Sequence, residues 1–164
     1  MGNKKYELTA NSKVVLGKKV FRIKALISFG NVAAGDLGGY VEKEENLSHC
    51  GNAWVCGNAR VYGDAVVRGN ALVRGNALVC GNALVCDSAV VCDSAVVRGD
   101  ADYLCFKGLG SQNRNTTFFR CKDGHIHVSC GCFSGNLEET HGESKFAKEY
   151  LSCIETVKIH FEVA

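Results

Sequence analysis

From Gly51 the chain divides into sixes: GNAWVC, GNARVY, GDAVVR, GNALVR, GNALVC, GNALVC, DSAVVC, DSAVVR and GDADYL. Alanine holds the third place in all nine units, valine holds the fifth in eight, and Tyr103 takes it in the ninth. A degenerate unit, ENLSHC from Glu45 to Cys50, precedes them. Two positions kept over nine periods mark a stacked-repeat architecture, in which no unit has a core of its own and stability comes from neighbours.

The period dictates the local geometry. Strand side chains alternate faces, so in A-x-V the alanine and valine point one way and the residue between them the other. The Gly-Asn or Asp-Ser pair is turn chemistry, able to take positive φ or to bond its own backbone. Three strand-and-turn units make a triangular coil of 18 residues, and stacked coils pair by parallel ladders about 4.8 Å apart. The predicted fold is a mainly β, left-handed parallel β-helix of about four coils, with Ala and Val filling its interior. The corner residues fall into columns 18 apart: Asn52, Asn70, Ser88; Asn58, Asn76, Ser94; Asp64, Asn82, Asp100. We read these as structural turn ladders. The chain has no proline, so nothing interrupts the ladders.

The outward column is the unusual one. It runs Trp54, Arg60, Val66, Leu72, Leu78, Leu84, Val90, Val96, Asp102. Trp54, Leu72 and Val90 share one face; Arg60, Leu78 and Val96 a second; Val66, Leu84 and Asp102 the third. Contiguous apolar surface of this extent is foreign to a soluble monomer and calls for cover by other parts of the chain or by other chains. Trp54, Val66, Leu72, Leu78, Leu84, Val90 and Val96 are therefore the candidate oligomer interface, with one face available to the C-terminal segment.

Composition narrows the function classes. A net charge of +2 is too small to argue for nucleic-acid or anionic-membrane binding. No apolar run reaches the roughly 20 residues of a membrane-spanning helix. The N-terminus, MGNKKYELTANSK, has no apolar segment of the signal-peptide kind. Of ten cysteines, Cys56, Cys80, Cys86 and Cys92 sit at one phase of the repeat, which reads as small side chains in a reducing cytoplasm.

The flanks are not repetitive. Residues 1–32 carry two strand signals, YELT and VFRIKAL. The coil is expected over 33–104, because Leu37, Val41 and Leu47 fall on inward phases. His49 falls on a valine phase and reads as a partly buried cap of the first regular coil. Over 105–164 we expect a small ββα cap. A glycine turn leads to a hairpin, Thr116 to Cys121 and His125 to Cys130, about a Lys122-Asp123-Gly124 turn. A helix follows, with Phe146, Tyr150, Cys153, Ile154 and Val157 at helical spacing.

The repeat resembles the hexapeptide-repeat superfamily, left-handed β-helix proteins that include many acyltransferases. That family often has glycine directly after the aliphatic residue; here Cys, Tyr or Arg stands there and glycine comes one place later. The whole chain is also similar to short hexapeptide-repeat proteins encoded by phages and prophages of gut-type Gram-positive bacteria. The matching words are YELT, FRIKAL, GDLGGYVEKEENLS, GNAWV, NRNTTFFRCKDG, CGCFSG and THGESKFAKEY. Relatives carry extra residues between the equivalents of Leu137 and Thr140, so the helical segment is expected to be shortened here. Such proteins are often labelled transferases, a label that rests on fold analogy. The resemblance implies a homo-oligomer, with a trimer favoured over a dimer, in the host bacterial cytoplasm.

Three chemistries follow. An acyltransferase of this fold needs a general base, usually histidine, in a cleft between subunits. The regular coils contain no histidine, and His125, His127, His141 and His160 show no carboxylate partner in sequence, so the reading leans away from an enzyme. Cys121, His125, His127, Cys130 and Cys132 are acceptable zinc ligand types. Their spacing fits no standard C-x2-C framework, and reduced core cysteines account for them better. No cofactor is implied. Third, Gln112, Asn113, Arg114, Thr116, Thr117 and Arg120 gather amides, hydroxyls and guanidinium groups suited to a phosphorylated or nucleotide ligand. A non-catalytic accessory protein that sequesters a nucleotide signal or blocks a host defence protein is the favoured expectation. An acyltransferase and a structural assembly module are the alternatives.

Overall fold

The computed structural model of the protein describes residues 4–109, 114–130, 133–137 and 147–162. Its centre is a parallel β-solenoid of about three turns. Eight two-residue strands line it: β4 (Trp54–Val55), β5 (Arg60–Val61), β6 (Val66–Val67), β7 (Leu72–Val73), β8 (Leu78–Val79), β9 (Leu84–Val85), β10 (Val90–Val91) and β11 (Val96–Val97). β4, β7 and β10 stack on one face, β5, β8 and β11 on a second, and β6 and β9 on the third. The register is the 18-residue one the repeat requires, with Val55 beside Val73 and Val73 beside Val91. The third-place alanines from Ala53 to Ala95 and the fifth-place valines from Val55 to Val97 are fully buried. The first residue of each unit from Gly51 to Asp93 has positive φ, aspartate included.

About three turns stand where four were expected, and the first of them carries a phase break. Val41 pairs with Val61, and Leu47 with Val67, so the spacing there is 20. Val41 to Leu47 is six residues, but Leu47 to Val55 is eight. Counting back from Val55 in sixes therefore lands on His49 and Leu37, neither of which faces the core. Leu37 is 55% exposed, a correction to its expected inward place, while Val41 and Leu47 are buried as expected.

The N-terminal segment closes one end. β1 (Tyr6–Val15) and β2 (Lys18–Ala25) form a hairpin, and β3 (Leu37–Val41) joins β2 antiparallel and β5 parallel. Gly38 and Gly39 permit this, because a Cβ on either would meet Val55 or the Ala59 carbonyl at under 3.0 Å. Tyr6, Ile23 and Ala25 pack on the end of the interior column. The Tyr6 hydroxyl reaches the Glu44 and Leu47 carbonyls at 2.7 and 2.9 Å, and the buried Lys5 ammonium donates to the Ala53 carbonyl at 2.8 Å. His49 stacks on Tyr6 with ring centroids 4.4 Å apart.

The other end is closed by a four-stranded antiparallel sheet rather than a lone hairpin. Its strands, in spatial and chain order, are β12 (Tyr103–Leu109), β13 (Arg114–Arg120), β14 (Ile126–Cys130) and β15 (Phe133–Asn136). The expected hairpin is β13 and β14; β12 continues straight out of the last coil. Phe119 and Cys121 plug the interior column. The opposite face carries Phe118, Ile126 and Val128, which pack on Ile154, Val157 and Phe161 of α1 (Ala147–Phe161). The sheet is thus sandwiched between solenoid and helix. No described helix is long and apolar enough to cross a membrane. None of the nine cysteines among the described residues is in a disulfide.

Candidate functional site

Chemistry-bearing side chains gather where the last coil meets the cap. Alternation along the β13–β14 hairpin puts Phe119, Cys121, His125 and His127 on the face turned toward the solenoid. The corner before β11 supplies Cys92 and Asp93, and β15 supplies Ser134. Backbone pairing fixes this junction: Lys122 N–H donates to the Ser94 carbonyl at 3.1 Å, and Cys121 N–H to the His125 carbonyl at 2.9 Å. Phe119 stacks on His127, with centroids 5.1 Å apart. His127, 12% exposed, has Nε2 2.8 Å from Ser134 Oγ and 3.3 Å from Asp93 Oδ2. The Cys92 thiol donates to Asp93 at 2.9 Å. Asp123 pairs with Nδ1 of His125.

Two trios of metal-ligating atoms result, each with its donors within 4.8 Å of one another: Cys121, His125, His127, and Cys92, Asp93, His127. The first contains three of the five residues singled out in the sequence. Cys130 joins neither trio, and Cys132 lies outside the described residues. Cys92 was read in the sequence only as a small side chain of the repeat, and Asp93 and Ser134 were not singled out. The visible signal for Asp93 was the switch from Gly-Asn to Asp-Ser in the seventh and eighth units.

The arrangement resembles a hydrolytic triad but does not have its wiring. In a working triad the carboxylate holds Nδ1 while the nucleophile meets Nε2. Here Asp93 and Ser134 both meet Nε2. Nor is Cys92 an activated nucleophile: burial, then its bond to Asp93, pushes its thiol up to about 11. Burial likewise raises the Cys121 thiol. A reactive cysteine needs the opposite shift. The other histidines have simple tasks. His49 accepts from Lys5 N–H at 3.2 Å, and the His160 ring lies 2.9 Å from the Ala101 carbonyl. His141 lies outside the described residues.

The candidate ligand residues are not presented together. Gln112 and Asn113 lie outside the described residues. Arg114 is exposed at the start of β13. Thr116 and Thr117 are buried, and Thr117 Oγ1 accepts from Val90 N–H at 3.1 Å while donating to Cys105. Arg120 donates to the Phe161 carbonyl at 2.9 Å and lies 3.9 Å from Asp102. Thr117 therefore ties the cap to the coil, and Arg120 ties it to α1.

The outward apolar column is covered at its two ends by the chain itself. Trp54 is buried against Phe29 and Tyr6 at the N-terminal end. Val96 is buried near β13, and Val90 is bonded to Thr117 of that strand. Val66, Leu72, Leu78, Leu84 and Val90 remain half-buried. A scan against protein-family models finds no match to the chain, and a search of the curated proteins finds none either.

Proposed function

We propose that the protein is a non-catalytic binding module of the hexapeptide-repeat kind that self-associates through its middle coil. The observation that carries this reading is the half-buried set Leu72, Leu78 and Leu84, with Val66 beside them. The flanks bury Trp54 and Val96 at the two ends of the column, and Val66, Leu72, Leu78, Leu84 and Val90 between them receive less cover. Leucine is not selected for strand propensity alone, and its hydrophobic return comes from contact. The wiring of His127 and the raised thiol of Cys92 favour binding over catalysis. A trimer is the preferred symmetry, by analogy with hexapeptide-repeat proteins.

The sequence words shared with phage and prophage proteins support an accessory role in the bacterial cytoplasm. There the oligomer would hold a nucleotide signal or block a defence protein. Arg114, exposed at the start of β13, is the described residue through which such a ligand would be held.

Native mass spectrometry of the untagged protein tests both halves. The expected result is a trimer that a Leu72→Glu, Leu84→Glu double variant reduces to a folded monomer. A wild-type monomer at tens of micromolar concentration would sink the assembly reading. For the binding half, retained mass or a thermal shift with cyclic nucleotides is expected, or a defence protein recovered in pull-downs. Absence of all three would remove it.

A further inference from the structure

We propose that Lys13, Arg22 and Arg60 form a binding site for a phosphate-class oxyanion on the outer face of the sheet that closes the N-terminal end. The site lies at the opposite end from the cap that carries Arg114. It rests neither on the nucleotide reading nor on self-association.

The order of the sheet brings the three cations together. β1, β2, β3 and β5 are successive neighbours, with Arg22 beside Tyr40 and Tyr40 beside Arg60 in register. Ile23 and Ala25 turn inward to the solenoid core, so Arg22 takes the outer face, where Val20 and Tyr40 also pack. Tyr40 is the hub. The Lys13 ammonium lies over its ring, 3.6 Å from the centroid. The Arg22 guanidinium carbon is 5.4 Å from the same centroid, and its Nη1 donates to the Tyr40 hydroxyl at 3.3 Å. Arg60, on the next strand, donates from Nη2 to the Asn76 carbonyl at 2.6 Å.

What these cations lack is a counter-charge. None of the three forms an ion pair among the described residues. The nearby carboxylates are engaged elsewhere. Glu42, two residues after Tyr40, accepts from Gly63 N–H at 2.7 Å and pairs with Lys18 at 3.2 Å, while Asp64 pairs with Lys43 at 3.2 Å. The Nε atoms of Arg22 and Arg60 are both shut from solvent without a hydrogen-bond partner. A buried donor left unpaired is costly, more so on a charged group. Repulsion adds to this. Burial first, and then Arg60 and Arg22 against the opposing pull of Tyr40, hold the Lys13 ammonium below its ordinary pKa. An oxyanion relieves the repulsion. Guanidinium forks match the oxygens of a phosphoryl group, and an ammonium adds a point charge. A doubly charged phosphoryl group can use all three cations, whereas a carboxylate is satisfied by one fork.

The test is calorimetric titration of the full-length protein at low ionic strength, where exposed charges are least screened. The probes are inorganic phosphate in one arm and adenosine monophosphate in the other. Saturable one-to-one binding of phosphate is expected. Competition by the monophosphate would assign the ligand as a phosphate ester, and phosphate binding alone would assign the free ion. Arg22→Gln, Arg60→Gln and Lys13→Gln should each weaken binding about tenfold or more, the effect of losing one hydrogen bond to a charged group. Arg68→Gln removes the same single charge at an exposed corner after β6 and should bind as wild type does. Should either arginine variant fail to fold by circular dichroism, Lys13→Gln carries the test, because β1 is the edge strand of its sheet. The proposal is overturned if neither probe binds saturably, or if Lys13→Gln binds as tightly as wild type. It is also overturned if Arg68→Gln weakens binding as much as the site variants, which would reduce the effect to net charge.

Discussion

At the scale of single residues, the positions that break the repeat are the informative ones. Asp87 and Asp93 stand where the six units before them have glycine, and both keep left-handed backbone, with φ of 59° and 56°. A side chain there is strained, and only a short polar one is tolerated routinely. Both carboxylates reach the C-terminal cap: Asp87 pairs with Lys107 at 3.2 Å, and Asp93 with His127 and Ser134. The aspartates were plain in the sequence as a switch of turn chemistry. Their partners were not, because 34 residues and a change of architecture separate Asp93 from His127. Cys92, beside Asp93, gives the molecule an alkaline limit. Its folded thiol titrates near 11, above its ordinary 9. The unfolded chain therefore loses this proton first, and the stabilisation is complete below about pH 9 and lost between 9 and 11. By linkage that is at most about 3 kcal/mol. Cys56, Cys105 and Cys121 shift in the same direction. Lys5, lowered to about 8, acts oppositely: the cost of burying its charge is relieved as pH rises from about 8 to 10.5. In urea melts, Cys92→Ala should flatten the decline between pH 9 and 11. An unchanged slope would show that this thiol does not set it.

At the scale of elements, legibility followed periodicity. The coil strands and the β13–β14 hairpin announce themselves through repeat, alternation and turn residues. β12 did not, because its KGLG segment reads as a turn. In the fold Gly108, with φ of 81°, sits in an irregularity of register between Phe106 and Leu109, and the strand continues through it. β15 was hidden because FSGN has little strand propensity and owes its form to pairing with β14. Corner glycines can be ranked by what surrounds them. A Cβ on Gly81 (φ 63°) would lie well inside contact distance of the Arg98 carbonyl, whereas Gly124 (φ 92°) has nothing within 4 Å. Gly124→Ala should cost only the backbone penalty, about 1–2 kcal/mol. Gly81→Ala should cost more, because the next coil's backbone has to move. Chemical denaturation of the two variants measures the difference, and equal losses would show that the stack yields easily.

At the scale of the whole molecule, the solenoid is a modular spacer between two unlike caps. Stability of such a stack is roughly a sum over neighbouring coils. Removing residues 69–86, one complete 18-residue coil, rejoins units of the same phase and leaves every cap contact to the first and last coils intact. The shortened chain should keep a cooperative β-type melt at a lower midpoint. It should also be monomeric by light scattering, since Leu72, Leu78 and Leu84 leave with the coil. A non-cooperative melt would mean that the coils are not interchangeable. The outward stripe and its need for cover were legible in the sequence, but not which of its residues the flanks reach, because that depends on where the flanks dock.

The plugs at the two ends bear on what the chain avoids becoming. A solenoid end offers a triangle of unpaired backbone donors and acceptors at the spacing of the next coil, the same template that lengthens a cross-β fibre. Tyr6 and Lys5 at one end, and Phe119 and Cys121 at the other, occupy those ends with side chains that cannot be stacked upon in register. They therefore act as chain terminators for a growth reaction that the repeat would otherwise carry out with copies of itself.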